Sequence, residues 1–175
     1  MDGLIRQAQQ GDKAAFEELL NQCYDSMFRI ALKWSGDRAN AEDITHQACL
    51  KLARGLRQFR FESAFSSWLY RLVINSAKDW QKANQRFEHE DLPDHSAAVN
   101  SDCPESEIQL RQVLQQIDAM GDGYRETVVL VFGEGLSHRE AAETLNVQES
   151  TISWRIHEIR KRLGSRMQES PGAGG

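Results

Sequence analysis

The sequence has little of what most function classes require. Its longest unbroken apolar run, Val128 to Phe132, has five residues, far short of the roughly 18 that a membrane-spanning helix needs. The opening stretch MDGLIRQAQQ has no apolar core of the kind a secretory leader carries. Three scattered cysteines, Cys23, Cys49 and Cys103, are too few and too irregular for a disulfide framework. They fit a reduced, cytoplasmic protein. His46 and Cys49 stand three apart, but no second pair completes a tetrahedral site, so no metal is expected. Phosphate-binding glycine loops, nucleophile elbows and carboxylate pairs in apolar settings are missing as well. Catalysis by this chain, a cofactor and a small-molecule ligand are therefore not expected. Positive charge is also short: 21 Lys and Arg face 26 Asp and Glu, for a net charge of −5. At face value that argues against nucleic acid, whose binders carry basic surfaces.

The charge is unevenly placed. Residues 1–86 hold 13 basic and 10 acidic side chains, and residues 108–175 hold eight and nine. Between them, residues 87–107 hold seven acids and no Lys or Arg, with two of the chain's three prolines and few large apolar residues. Such a segment buries too little surface to offset its ordering entropy. It reads as an acidic flexible linker between two small domains, 1–86 and 108–166, and residues 167–175 read as a disordered tail.

Both flanking parts read as helical. After Asp12, a plausible N-cap, apolar residues fall at Phe16, Leu19, Leu20, Cys23, Tyr24, Met27, Phe28 and Ala31, the spacing of one buried stripe. A second helix is expected over about Ala41 to Leu56 and a third over about Ser63 to Arg86. Beyond the linker a helical run begins at Ile108 and breaks at Gly121-Asp122-Gly123. Residues 124–132 have strand-like propensity, but no partner hairpin exists elsewhere, so helix is the better reading. The expected fold class is all-α.

The sharpest local signal lies near the C-terminus. Ser137-His138-Arg139-Glu140 has the form of a capping box. A short helix with Ala141 and Ala142 follows, then a turn at Leu145-Asn146-Val147. A long helix from about Glu149 to Arg166 has Ile152, Ile156, Ile159 and Leu163 inward. This is the pattern of a helix-turn-helix, whose second helix enters the DNA major groove. Ser150, Ser153, Trp154, His157 and Lys161 face outward, and residues 149–166 carry five basic and two acidic side chains. In the first part, Phe59, Phe61, Phe65, Trp68, Tyr70 and Trp80 interleave with Arg60, Arg71, Lys78, Lys82 and Arg86. Aromatic faces stack on unpaired bases while cations hold phosphates, although about half of those aromatics must face a core.

In their order and spacing, several motifs resemble one family. They are Gly11-Asp12 with Ala15-Phe16, Ala41-Glu42-Asp43-Ile44, Ser63-Ala64-Phe65, Trp68-Leu69-Tyr70-Arg71 with Asn75, and the helix-turn-helix. Over about residues 4–166 the chain is similar to bacterial RNA polymerase sigma factors of the sigma-70 family, in the extracytoplasmic-function (ECF) group. The resemblance implies that Glu42, Asp43, His46, Gln47 and Lys51 dock on the clamp helices of the polymerase core. His46 and Gln47 stand where Gln and Glu are usual, which leaves Glu42 and Asp43 as the electrostatic contacts. It implies that Phe61, Glu62, Ser63 and Ala64 form a loop capturing a base flipped from the −10 promoter element, with Asn75 bonding that base. Arg60, Arg71, Lys78, Lys82 and Arg86 would hold the backbone, and Phe65 and Trp68 would pack beneath the loop. The cost of flipping, on the order of a few kcal/mol, is offset by a shaped polar pocket.

In the C-terminal part the resemblance implies reading of the −35 element by Ser150, Thr151, Ser153, Trp154 and His157. Arg139, Arg155, Arg160 and Lys161 would hold phosphates. Ser153 and Trp154 depart from the family's usual basic residue and serine, which points to thymine-methyl contact or shape readout rather than guanine readout. In the family the linker threads the polymerase near its active centre and RNA exit path; a solvated spacer is the alternative. An anti-sigma partner is implied by the family alone. Two rival readings stay open: a helix-turn-helix regulator of the response-regulator type, and a purely protein-binding helical adaptor.

Overall fold

The computed structural model describes residues 1–90 and 105–168, with side chains at 1–84, 105–106 and 108–164. Among the described residues every regular element is helical. The chain divides into two compact units, Met1–Val113 and Leu114–Gly175.

The first unit is built from α1 (Asp2–Gln9), α2 (Lys13–Ser35), α3 (Arg38–Gly55), a 3-10 turn (Leu56–Gln58) and α4 (Phe65–Glu90). Side-chain caps set two of the starts. Asp12 accepts from the Ala15 amide at 3.1 Å and Asp37 from the Asn40 amide at 2.9 Å, each satisfying an amide the helix leaves orphaned. Gly36 ends α2 in the left-handed conformation, φ 65°, where glycine carries no Cβ penalty. The core takes Leu19, Cys23, Met27, Ile30, Ala31 and Trp34 from α2, Ala41, Ile44, Ala48 and Leu52 from α3, and Leu69, Val73, Ile74 and Ala77 from α4. α2 packs against α1, α3 and α4, and α3 packs against α4. Small residues at 31, 41, 48 and 77 let these helices approach closely.

Two buried hydroxyls in this core are satisfied locally: Thr45 donates to the Ala41 carbonyl at 2.7 Å and Ser76 to the Leu72 carbonyl at 2.9 Å. Burial pushes the Cys23 thiol up to about 11, with nearby Cys49 adding to the shift, and burial also raises Cys49. Thiols held protonated in this way are poor nucleophiles and poor metal ligands. One expectation is corrected here. Tyr24, placed in the buried stripe by its spacing, is 44% exposed, because the inward row of α2 runs through 19, 23, 27, 30, 31 and 34 and leaves 24 on its outer edge.

Of the segment read as a linker, residues 87–90 continue α4 and residues 105–107 begin α5 (Glu105–Asp118); its middle, 91–104, and the end of the tail, 169–175, lie outside the described residues. The division between the two units falls within α5.

The second unit continues from α5 through α6 (Tyr124–Val128), one π-helical turn (Val129–Gly133), α7 (His138–Leu145) and α8 (Glu149–Gln168). Leu114, Ile117, Val129, Leu130, Ala141, Ala142, Ile152, Ile156 and Ile159 form its core. The run 128–132 is helical despite its β-branched residues, since burial of Val129 and Leu130 outweighs local propensity. Gly121 and Gly123 take φ of 116° and 85°, the break expected after α5. Burial lowers the Arg125 guanidinium from its ordinary range, opposed by Asp118 at 2.8 Å.

Candidate nucleic-acid interface

In α4, Arg71, Asn75, Lys78 and Lys82 recur at intervals of three or four, which places them on one face. With Lys51 of α3, Trp68, Leu72 and Asp79 they line an open groove of about 670 Å³. The groove holds four cations and one carboxylate, with an indole as part of its wall. Lys51 Nζ reaches across to Asp79 Oδ2 at 2.6 Å, so the structure sets Lys51 in this groove beside the α4 cations. Arg71 Nε is buried and finds no hydrogen-bond acceptor among the described residues. Arg86 lies on the same helix, but its side chain is outside the described set.

The segment preceding α4 is an aromatic-founded loop. Phe59 is buried, with ring centroids 4.8 Å from Phe61, 5.4 Å from Phe65 and 5.4 Å from Trp68; Phe65 and Trp68 stack at 5.6 Å. Phe65 and Trp68 therefore pack beneath the loop, while Arg60, Glu62, Ser63 and Ala64 are exposed. Phe61 has φ 60°, a region that side chains other than Gly, Asn and Asp seldom enter. Two residues that the sequence reading missed hold this loop from α1. Gln9 Nε2 donates to the carbonyls of Leu56 at 2.9 Å and Phe59 at 2.8 Å. The Arg6 guanidinium lies 4.2 Å over the Phe61 ring. No local pattern signals bonds spanning about fifty residues.

On α3, Glu42, Asp43 and His46 are exposed and Gln47 is half-buried. Glu42 pairs with Arg38 at 3.3 Å. Leu50, one turn further along, is 46% exposed, an outward apolar side chain the sequence reading did not single out.

In the second unit the capping box forms in full. Ser137 Oγ accepts from the Glu140 amide at 3.2 Å, and Glu140 Oε2 accepts from the Ser137 amide at 2.8 Å. Ser137 Oγ also donates to Glu140 Oε2 at 2.7 Å, and this bond, with the one from the Ser137 amide, holds the Glu140 carboxyl below its usual range. Asn146 turns the chain at φ 55° and ψ 48°, as its tolerance for left-handed geometry suggested. Along α8, Ser150, Ser153, Trp154, His157, Arg160 and Lys161 are exposed, and Thr151 is half-buried. Trp154 is 56% exposed, its ring 5.9 Å from Tyr124. Ser153 Oγ lies 2.9 Å from His138 Nδ1 at the start of α7. Arg139 pairs with Glu143 at 3.1 Å, Arg155 stands 6.0 Å over Tyr124, and Arg160 stands 5.9 Å over the exposed Phe132. A Cβ at Gly123 would run into the Arg155 guanidinium, so glycine there serves both the turn and this contact.

Residues 1–169 match the family model described as ECF sigma factor. The chain is 32% identical over 162 residues to the ECF RNA polymerase sigma factor SigE of Mycolicibacterium smegmatis, covering 87% of this chain and 63% of that relative's length. It is 28% identical over 180 residues to the ECF RNA polymerase sigma-E factor of Haemophilus influenzae, covering 94% of each. Its fold resembles that of the sigma factor RpoE in complex with the anti-sigma factor NepR from Bartonella quintana. There the TM-score is 0.63 at 19% identity, over 89% of this chain and 98% of that one. The chain belongs to the ECF sigma factor family.

Proposed function

We propose that the two units divide promoter recognition between them, the first taking the single-stranded −10 element and the second reading the −35 element as a duplex. As an ECF sigma factor the chain directs transcription initiation by RNA polymerase; the phosphoryl chemistry belongs to the polymerase. The observation that carries the division is the α3–α4 groove, lined by Arg71, Asn75, Lys78 and Lys82 of the helix that follows the 61–64 loop. Cations track a backbone, an aromatic wall suits unstacked bases, and Asn75 offers a donor and an acceptor to a base edge. Glu42, Asp43, His46, Gln47 and Leu50 of α3 form the docking face for the core clamp helices, with Leu50 as the apolar contact. In the second unit α7 and α8 act as the helix-turn-helix, with Ser153 and Trp154 toward bases and Arg139, Arg160 and Lys161 toward phosphates. Residues 87–107 serve as the tether between the two units. An anti-sigma partner, as in the RpoE complex, completes the reading.

Reconstitution tests it. Purified core polymerase plus this protein starts transcripts at specific positions in a genomic promoter library. A folded protein that yields no specific start across that library overturns it.

A further inference from the structure

The loop between the 3-10 turn and α4 has few backbone hydrogen bonds of its own. The Phe59 amide reaches back to Leu56 at 3.1 Å, and the next bond is the Trp68 amide to Ala64, already in the first turn of α4. Two of the carbonyls that shape the loop, those of Leu56 and Phe59, are bonded by a single side-chain amide, Gln9 Nε2. Both hydrogens of that amide are used. Turned over, the side chain would set its own oxygen against two carbonyl oxygens, so only one orientation fits. Gln9 cannot drift, because Ile5 and Ala8 on the inner face of α1 are buried.

Arg6 stands one turn before Gln9 on the same helix face. Its guanidinium covers the ring of Phe61 at 4.2 Å, and Phe61 is the loop residue held at φ 60°. An apolar side chain at positive φ persists only where its surroundings over-determine it. Here those surroundings are Phe59 on one side and α1 on the other. The clamp therefore grips the loop on both flanks of Arg60 and leaves Glu62, Ser63 and Ala64 exposed.

We infer that Gln9 and Arg6 are positioning residues for base capture, holding the 61–64 loop in its receiving shape without touching DNA themselves. The inference rests on the reading of that loop as the site of the flipped −10 base. Prior shaping matters because a pocket that must first order itself loses the affinity spent on ordering. The helix α1 thus becomes part of promoter recognition, although Gln9 lies about fifty residues from the carbonyls it holds.

The test uses full-length protein with core polymerase and a fluorescein-labelled single strand carrying the −10 element of a promoter found by reconstitution. Copies of the strand made abasic at one position at a time locate the captured base, as the position where removing the base weakens binding. Gln9→Glu keeps the side-chain size but loses both donors, and it should shrink that abasic penalty about tenfold. Affinity for core should stay at the wild-type level. Gln9→Lys, which again offers hydrogens to both carbonyls, should restore much of the penalty, which a general loss of stability would not. An unchanged penalty in Gln9→Glu overturns the inference. Should Gln9→Glu fail to fold, Arg6→Met keeps the stem and removes the charge, and the same two outcomes apply to it. A wild-type protein with no abasic-sensitive position would instead sink the base-capture reading, and this inference with it.

Discussion

Lys51 on α3 and Asp79 on α4 face each other at 2.6 Å across the groove that carries Arg71, Asn75, Lys78 and Lys82. Asp79 is the one carboxylate among the residues lining it, and Lys51 tempers its repulsion of phosphate. Both side chains are substantially exposed, so the pair adds little to stability, about 0–1 kcal/mol. Its effect should appear in binding. Asp79→Asn should tighten single-strand binding by about two- to tenfold at low salt, with the gain shrinking as salt screens the groove. Lys51→Met should weaken binding and flatten the salt dependence. Fluorescence anisotropy with a labelled −10 strand across a salt series measures both.

Asn75 offers a test of base reading separate from charge. Its side chain is exposed in the groove, so Asn75→Ala should leave stability within about 0.5 kcal/mol. Discrimination between −10 variants should fall about tenfold, the value of lost hydrogen bonds to a base edge, while affinity for core polymerase stays unchanged. Competition among labelled strands differing at one base reports this. Equal weakening for every strand would assign Asn75 to the backbone instead.

The capping box gives the second unit a pH signature. Ser137 holds the Glu140 carboxyl below its usual range. A depressed folded-state value means this stabilisation is present above the carboxyl's ordinary value and is lost as pH falls through the lower, folded one. Ser137→Ala should cost about 1 kcal/mol at neutral pH and flatten the acid side of the stability profile. Urea unfolding at a series of pH values between neutral and strongly acid distinguishes the variant from the parent.

Trp154 is more than half exposed and touches Tyr124 by its ring. Trp154→Ala should therefore change stability by less than about 1 kcal/mol while weakening duplex −35 binding clearly. His138→Ala frees the Ser153 hydroxyl that it now meets at 2.9 Å, so it should relax base preference more than it lowers overall affinity. Mobility shifts with single-base variants of the duplex separate these two effects.

The sequence made some of this legible through spacing that is local to one helix. Asp12, the capping box and Asn146 each announce a helix end within four residues, and each adopts the expected geometry. Arg71, Lys78 and Lys82 stand out by their interleaving with aromatics, and Asn75 only through the resemblance. What stayed hidden depends on a second element. α1 is only eight residues long, too short to register as a stripe, and Gln9 acts on carbonyls about fifty residues away. Lys51 lies on the edge of α3 that meets α4, an edge that one helix's pattern cannot tell from its free side. Tyr24 shows the converse error, since i, i+4 spacing with Leu20 and Phe28 suggests burial that packing against α1, α3 and α4 does not provide.

Phe61 sits where glycine would rest easily, and its ring is covered by Arg6 from another helix. The hexapeptide from Phe59 to Ala64 is accordingly not a portable cassette. Grafted between two helices of a foreign scaffold, it would carry its residues but lose the backbone turn that presents them. A chimera exchanging this loop between family members should therefore transfer promoter preference only when the first helix travels with it, making the helix and the distant loop a single inherited unit.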